Sequence, residues 1–154
     1  MDDQVDQILL RVRQDFLPDG DCEQTLNLLT MEAAAAMAAE GVDARRAFAD
    51  AWEREQAEPT FIGQGMAVPH ARAEGLQRAC VYLAYSRSGI PWPQEPAQFI
   101  ALLIVPWDSP ELHLRLLAHL VRWRRHLAET APCTTAESTA LLTETLNSAF
   151  RGLL

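Results

Sequence analysis

Seven consecutive apolar residues, Phe99-Ile100-Ala101-Leu102-Leu103-Ile104-Val105, limit what this chain can fold into more than any other stretch. The run is short for a helix and has no polar residue to form a solvated face. It therefore reads as a central strand covered on both sides. Pro106 ends it, and Asp108-Ser109-Pro110-Glu111 carries the signals of a helix start: a Ser cap, a Pro in the first turn and an acid next. Leu112, Leu116, Leu120, Trp123 and Leu127 then recur on one helical face. Upstream, Cys80 to Tyr85 reads as a second strand. Ser88-Gly89-Ile90-Pro91-Trp92-Pro93 forms a turn-rich connection between the two strands.

The chain ahead of the strands has helical spacing. Over residues 4–17, Val5, Ile8, Leu9, Val12 and Phe16 predict a first helix, stopped by Pro18-Asp19-Gly20. Gln24 to Glu40 predicts a second, with Leu28, Met31 and Ala35 on one face and Gly41 as its C-cap. The alanines from Ala33 to Ala36 suit either close packing or simple helix propensity. Asp43 can cap a third helix, buried through Ala47, Phe48, Ala51 and Trp52 and ending near Arg54-Glu55 before Pro59. Residues 129–136 read as a polar break, and Ala136 to Leu153 as a last helix. No repeat, low-complexity tract or domain boundary stands out. Helices alternating with strands predict a single-domain α/β sandwich over residues 1–154.

Charge and cysteine usage narrow the function. A net charge of −8 argues against nucleic acid as a partner, while leaving room for a basic protein. No apolar run reaches the roughly 18 residues of a membrane span. The acidic start Met1-Asp2-Asp3-Gln4 is unlike a secretory signal, so a cytoplasmic location is expected. Cys22, Cys80 and Cys133 lie far apart and are expected to be free thiols. The histidines His70, His113, His119 and His126 lack zinc-ligand spacing, so no metal is expected. There is no GxSxG elbow, no GxxxxGK[ST] and no GxGxxG, which leaves Ser-hydrolase chemistry and nucleotide binding unsupported. Arg122-Trp123-Arg124-Arg125 reads as a solvated face with one buried Trp.

Two histidines remain as candidates for chemistry. Gly63-Gln64-Gly65 offers a bend, and Met66-Ala67-Val68 a short buried strand. Pro69 biases Val68 to an extended conformation, so His70 should leave the strand in a defined direction. His70 is either a histidine that ends a strand or a nucleophile, imidazole being largely neutral near pH 7. His113 falls in the first turn of the helix opening at Ser109, beyond the end of the central strand. There, helix N–H groups favour an anion such as phosphate. By spacing alone His113 is equally well a partly exposed residue without a role.

The run Arg54-Glu55-Gln56-Ala57-Glu58-Pro59-Thr60-Phe61-Ile62-Gly63-Gln64-Gly65-Met66-Ala67-Val68-Pro69-His70-Ala71-Arg72 resembles the signature of IIA components of the bacterial sugar phosphotransferase system, fructose/mannitol type. Pro106 and Glu111-Leu112-His113-Leu114-Arg115-Leu116-Leu117 resemble that family's second block. The resemblance spans about residues 45 to 127. It implies a mixed β-sheet flanked by helices and a transiently phosphorylated histidine, which by its place in the motif is His70. It also implies a phosphotransferase that takes its phosphoryl group from the phosphohistidine of the small carrier HPr and passes it to a cysteine of a IIB component. His113 matches the second active-site histidine, and Arg54 and Thr60 match motif positions near the site. No cofactor or metal is implied. The chain departs from the pattern at Ala57-Glu58-Pro59 before Thr60 and in the loop Trp92-Pro93-Gln94-Glu95-Pro96. These departures bear on the substrate branch, sugar uptake or nitrogen regulation. In the nitrogen branch, phosphorylation at the same His70 would control target proteins with no sugar acceptor.

Overall fold

The computed structural model describes residues 8–130 and 139–151. In chain order the elements are β1 (Ile8–Val12), α1 (Cys22–Ala36), a 3₁₀ turn (Ala38–Glu40), α2 (Ala44–Ala57), β2 (Phe61–Gly63), β3 (Met66–Ala67), β4 (His70–Ala73), β5 (Ala79–Ile90), β6 (Ala97–Pro106), α3 (Pro110–Thr130) and α4 (Thr139–Ala149).

The apolar run lies in β6, the strand on which the six-stranded sheet is assembled. β5 pairs antiparallel along one edge of β6, with β1 parallel outside it. Along the other edge, β3 and then β4 pair parallel to β6, and β2 pairs antiparallel outside β3. Alternation along β6 divides its side chains between two cores. Phe99, Ala101, Leu103 and Val105 face α3 and α4, among Leu116, Leu120, Trp123, Leu127, Leu142 and Leu146. Ile100, Leu102 and Ile104 face α1 and α2, among Leu26, Leu29, Ala33, Ala47 and Ala51. The sheet is therefore mixed, with helices on both faces, as expected. All five residues of the stripe expected on the helix after the central strand are buried.

The helix expected over residues 4–17 is a correction. Its described part is β1 followed by irregular chain, and residues 4–7 lie outside the described residues. Ile8 enters the α3/α4 core and Leu9 the α1/α2 core. A strand covered on both faces places apolar residues at adjacent positions, so its spacing imitates a helix. The parallel pairing with β5 decides the outcome.

Of the next two helices, the third expected one forms behind its Asp43 cap. The second instead ends at Ala36, with Met37 as its C-cap rather than Gly41, and buries Leu26, Leu29 and Ala33 instead of Leu28, Met31 and Ala35. Asp21 and Gln24 make a reciprocal capping box on α1, and Gly41 closes the 3₁₀ turn at φ 72°. The Asp43 carboxylate accepts from the N–H groups of Arg45 and Arg46 at the start of α2. Ala33 and Ala34 are buried, so the alanine run does allow close packing.

β5 is longer than its sequence suggests. It takes in Ser88-Gly89-Ile90, with an irregularity before Ile90 pairs with Ala97. Gly89, at φ 88°, supplies the backbone conformation for that break. The thiols of Cys22 and Cys80 are free, and burial pushes both up to about 12. Cys133 and most of the expected 129–136 break lie outside the described residues. Among the described residues no helix is long and apolar enough to cross a membrane.

Candidate active site

Pro69 interrupts pairing after β3, because it has no N–H to give to β6. Its carbonyl still accepts from Leu103 N–H at 2.9 Å, so the chain stays beside β6 and resumes as β4. His70 therefore opens a strand, opposite Leu103, where the sequence suggested that it follows one. Ala71 packs into the α1/α2 core, and alternation turns His70 to the opposite side of the sheet. There it meets His113 on the first turns of α3. The two rings are nearly parallel, at 12°, with centroids 4.9 Å apart.

The surroundings of His70 hold it unprotonated. Burial lowers its pKa most, and the positive fields of His113, Arg54 and Arg72 lower it further, while Asp50 opposes them. The result is about 4. Its lone pair is thus available at neutral pH, as a nucleophile requires.

Arg54 and Thr60 are held from below by two carboxylates. Arg54, on α2, gives its Nε to Asp50 Oδ1 at 3.0 Å. The other oxygen of Asp50 accepts from the backbone N–H of Arg72 at 2.9 Å, which ties α2 to β4. Glu55 is 2 % exposed. Its carboxylate receives the Thr60 hydroxyl at 2.8 Å, the Thr60 N–H at 3.0 Å and the Trp92 indole N–H at 2.7 Å. Thr60 in turn accepts from Val68 N–H, two residues ahead of His70. The Thr60 hydroxyl is therefore committed to Glu55 and anchors the approach to the strand. Arg72 reaches over the Trp107 ring at 5.9 Å, and its Nε is buried without a hydrogen-bond partner.

The glycine bend lies away from this centre. Gly65 O accepts from Gln98 and Phe99 N–H at the opposite end of β6 from Pro106. Gly63, Gln64 and Gly65 all have positive φ, which a tight hairpin between β2 and β3 requires. These residues set the hairpin and its attachment to β6.

Asp50, Glu55, Arg72 and Trp92 received no role from sequence reasoning, and two of them had a signal. Glu55 continues the buried stripe Ala47–Ala51 at the next i+4 position, where an acid needs a partner. Asp50 stands four residues before Arg54, the spacing of a helical ion pair. Arg72 and Trp92 had none, since both contacts cross between elements. His119, near the middle of α3, packs against Phe150 with the rings tilted by 32° and their centroids 5.2 Å apart. In the Arg122–Arg125 segment, Trp123 is buried and donates to Thr145 at 2.9 Å. Among the described residues no three His, Cys, Asp or Glu side chains form a group able to hold a metal ion.

Comparisons with known proteins give the family and the fold. The family described as "Phosphoenolpyruvate-dependent sugar phosphotransferase system, EIIA 2" matches residues 21–148. The "PTS system fructose-specific EIIA component" of Haloferax volcanii is 35% identical over 89 residues, 55% of this chain and 58% of that protein. A second curated relative, "Multiphosphoryl transfer protein 2" of Escherichia coli, is 29% identical over 83 residues, 53% of this chain and 10% of its own length. The chain thus spans between a tenth and somewhat over half of these relatives. Among solved structures, the IIA-Ntr nitrogen regulatory protein of Neisseria meningitidis superposes with a TM-score of 0.68 at 20% identity, covering 91% of this chain and 92% of that one. The Escherichia coli IIAMTL in complex with phosphorylated IIBMTL gives 0.66 at 17% identity, covering 92% and 94%. At these identities the structural likeness speaks for the fold alone. The match over residues 21–148 carries the assignment: the chain belongs to the EIIA 2 family of the phosphoenolpyruvate-dependent sugar phosphotransferase system.

Proposed function

We propose that His70 accepts a phosphoryl group from the phosphohistidine of an HPr-like carrier and passes it to a cysteine of a IIB component in sugar uptake. The observation that supports this most is the stacked pair His70–His113, in which His70 is held unprotonated beside the guanidinium of Arg54. In the first step the N–P bond of the donor breaks as an N–P bond to His70 forms. In the second, that bond breaks as an S–P bond to the acceptor cysteine forms. Transfer between such groups depends on in-line placement and on stabilising the phosphoryl oxygens. His113 and Arg54 supply that stabilisation, beside the positive end of the α3 dipole. Thr60 and Glu55 hold the approach to His70 in place.

The sugar branch is favoured by the fructose-specific relative. The test is incubation with enzyme I, HPr and labelled phosphoenolpyruvate, for the wild type and His70→Ala. Acid-labile label on the wild type and none on the variant supports the proposal. Equal labelling of both, or of neither, sinks it. His113→Ala should slow transfer and largely keep donor binding; wild-type transfer removes His113 from the mechanism. Discharge of the labelled chain onto a IIB cysteine supports sugar uptake. A labelled chain that discharges to no IIB, and whose phosphorylation alters a regulatory target, reassigns it to the nitrogen branch.

A further inference from the structure

Asp50 does more than cap an ion pair on the surface of α2. Its two oxygens are divided between two elements: Oδ1 holds Arg54 Nε at 3.0 Å, and Oδ2 holds the Arg72 backbone N–H at 2.9 Å. Arg72 lies two residues after His70 on β4, whose strand pairing is with β6. Its N–H points away from that pairing and would otherwise be an unpaired donor on a sheet edge. The Arg54 guanidinium engages Asp50 through Nε, and among the described residues neither Nη atom has a hydrogen-bond partner. A planar fork held at Nε keeps its orientation and still presents both Nη groups to an anion.

We propose that Asp50 is a positioning residue for phosphoryl chemistry at His70. It fixes the Arg54 fork and the free edge of β4 as one unit, and it offsets one positive charge beside the imidazole. This rests on the phosphocarrier reading above. Its consequence is a phosphoryl group that is oriented by Arg54 and, because a carboxylate stands behind the guanidinium, held loosely enough to leave. Removing the carboxylate strengthens the net positive field at His70, which steadies a phosphoryl dianion and slows its departure.

The charged groups that act on His70 are Arg54 and Asp50 from α2, His113 from α3 and Arg72 from β4. The experiment uses the full chain carrying Asp50→Asn and, separately, Asp50→Ala. Asparagine keeps the size and an acceptor for one of the two donors and removes the charge. Imidazole NMR titration of the unphosphorylated proteins reads the charge effect directly. In Asp50→Asn, His70 should titrate below its wild-type value, since the one group raising it is lost. A merely structural role gives the opposite sign, because a loosened site lets water in and moves His70 back toward its ordinary value. After phosphorylation, the Asp50→Asn protein should discharge to its acceptor about fivefold more slowly, the ratio that about 1 kcal/mol produces. Asp50→Ala, which loses both hydrogen bonds, should in addition accept label from the donor more slowly. An unchanged or raised His70 titration in Asp50→Asn, or wild-type discharge, overturns the proposal. The titration needs no phosphoryl donor. Failure to label the wild type therefore refutes the phosphocarrier reading, whereas an unmoved titration refutes the role of Asp50.

Discussion

Glu55 is the residue whose loss should cost the site most. It is 2 % exposed and receives three hydrogen bonds, from the Thr60 hydroxyl, the Thr60 N–H and the Trp92 indole. In Glu55→Ala the indole N–H of Trp92, itself 6 % exposed, loses its partner in a place water does not reach freely. An orphaned buried donor costs about 1–3 kcal/mol. The two Thr60 groups are partly exposed and can turn to water, so each adds about 0.5–1 kcal/mol. The sum is about 2–5 kcal/mol, against a total stability of about 5–15 kcal/mol for a domain. For a chain of this length that lowers Tm by roughly 5–15 °C. Glu55→Gln should fall between the two, because its amide offers one acceptor oxygen and its NH₂ must face a donor. Thr60→Val removes only the hydroxyl bond, and should cost about 1 kcal/mol in the wild type and nearly nothing once Glu55 is alanine. Urea unfolding with a common m-value measures all five proteins, the double variant included. A Glu55→Ala midpoint within about 0.5 kcal/mol of wild type would refute the anchor, since three donors cannot lose a shared buried acceptor for less.

Three further outcomes follow from particular contacts. Native His70 titrates near 4 against an ordinary 6.5, so between those values the unfolded chain binds a proton that the native chain does not. Stability should therefore fall as pH drops from 6.5 to 4, by at most about 1.4 kcal/mol per unit from this residue, and be flat in its contribution above 6.5. A denaturation series of wild type against His70→Gln isolates that slope, and identical slopes would contradict it. Gly65→Ala places a Cβ on a residue at φ 72°, 3.3 Å from the Gln98 side chain, and should cost about 1–2 kcal/mol in urea titration. Ala33→Leu adds three carbons where α1 is fully buried, and should cost about 1–3 kcal/mol by the same measurement.

The sequence by itself determined the frame. The seven apolar residues from Phe99 to Val105 could be satisfied only by cover on both sides, and the alternation of β6 between two cores realises that. Asp43 and the Ser109-Pro110 start placed helices within a few residues of where they form, because caps act through neighbouring backbone groups. The motif around His70 and the block at His113 pointed to one chemistry before either was placed. Tertiary structure decided what depends on partners distant in the chain. Ile8 to Val12 carries helical spacing and becomes a strand because β5 offers it a parallel edge. His70 opens a strand because Pro69 breaks the pairing with β6 and Leu103 recaptures the chain. The union of Glu55 with Trp92 and of Asp50 with Arg72 spans 37 and 22 residues. No local pattern encodes such contacts, which exist only once the sheet brings β4 and the β5–β6 connection against α2.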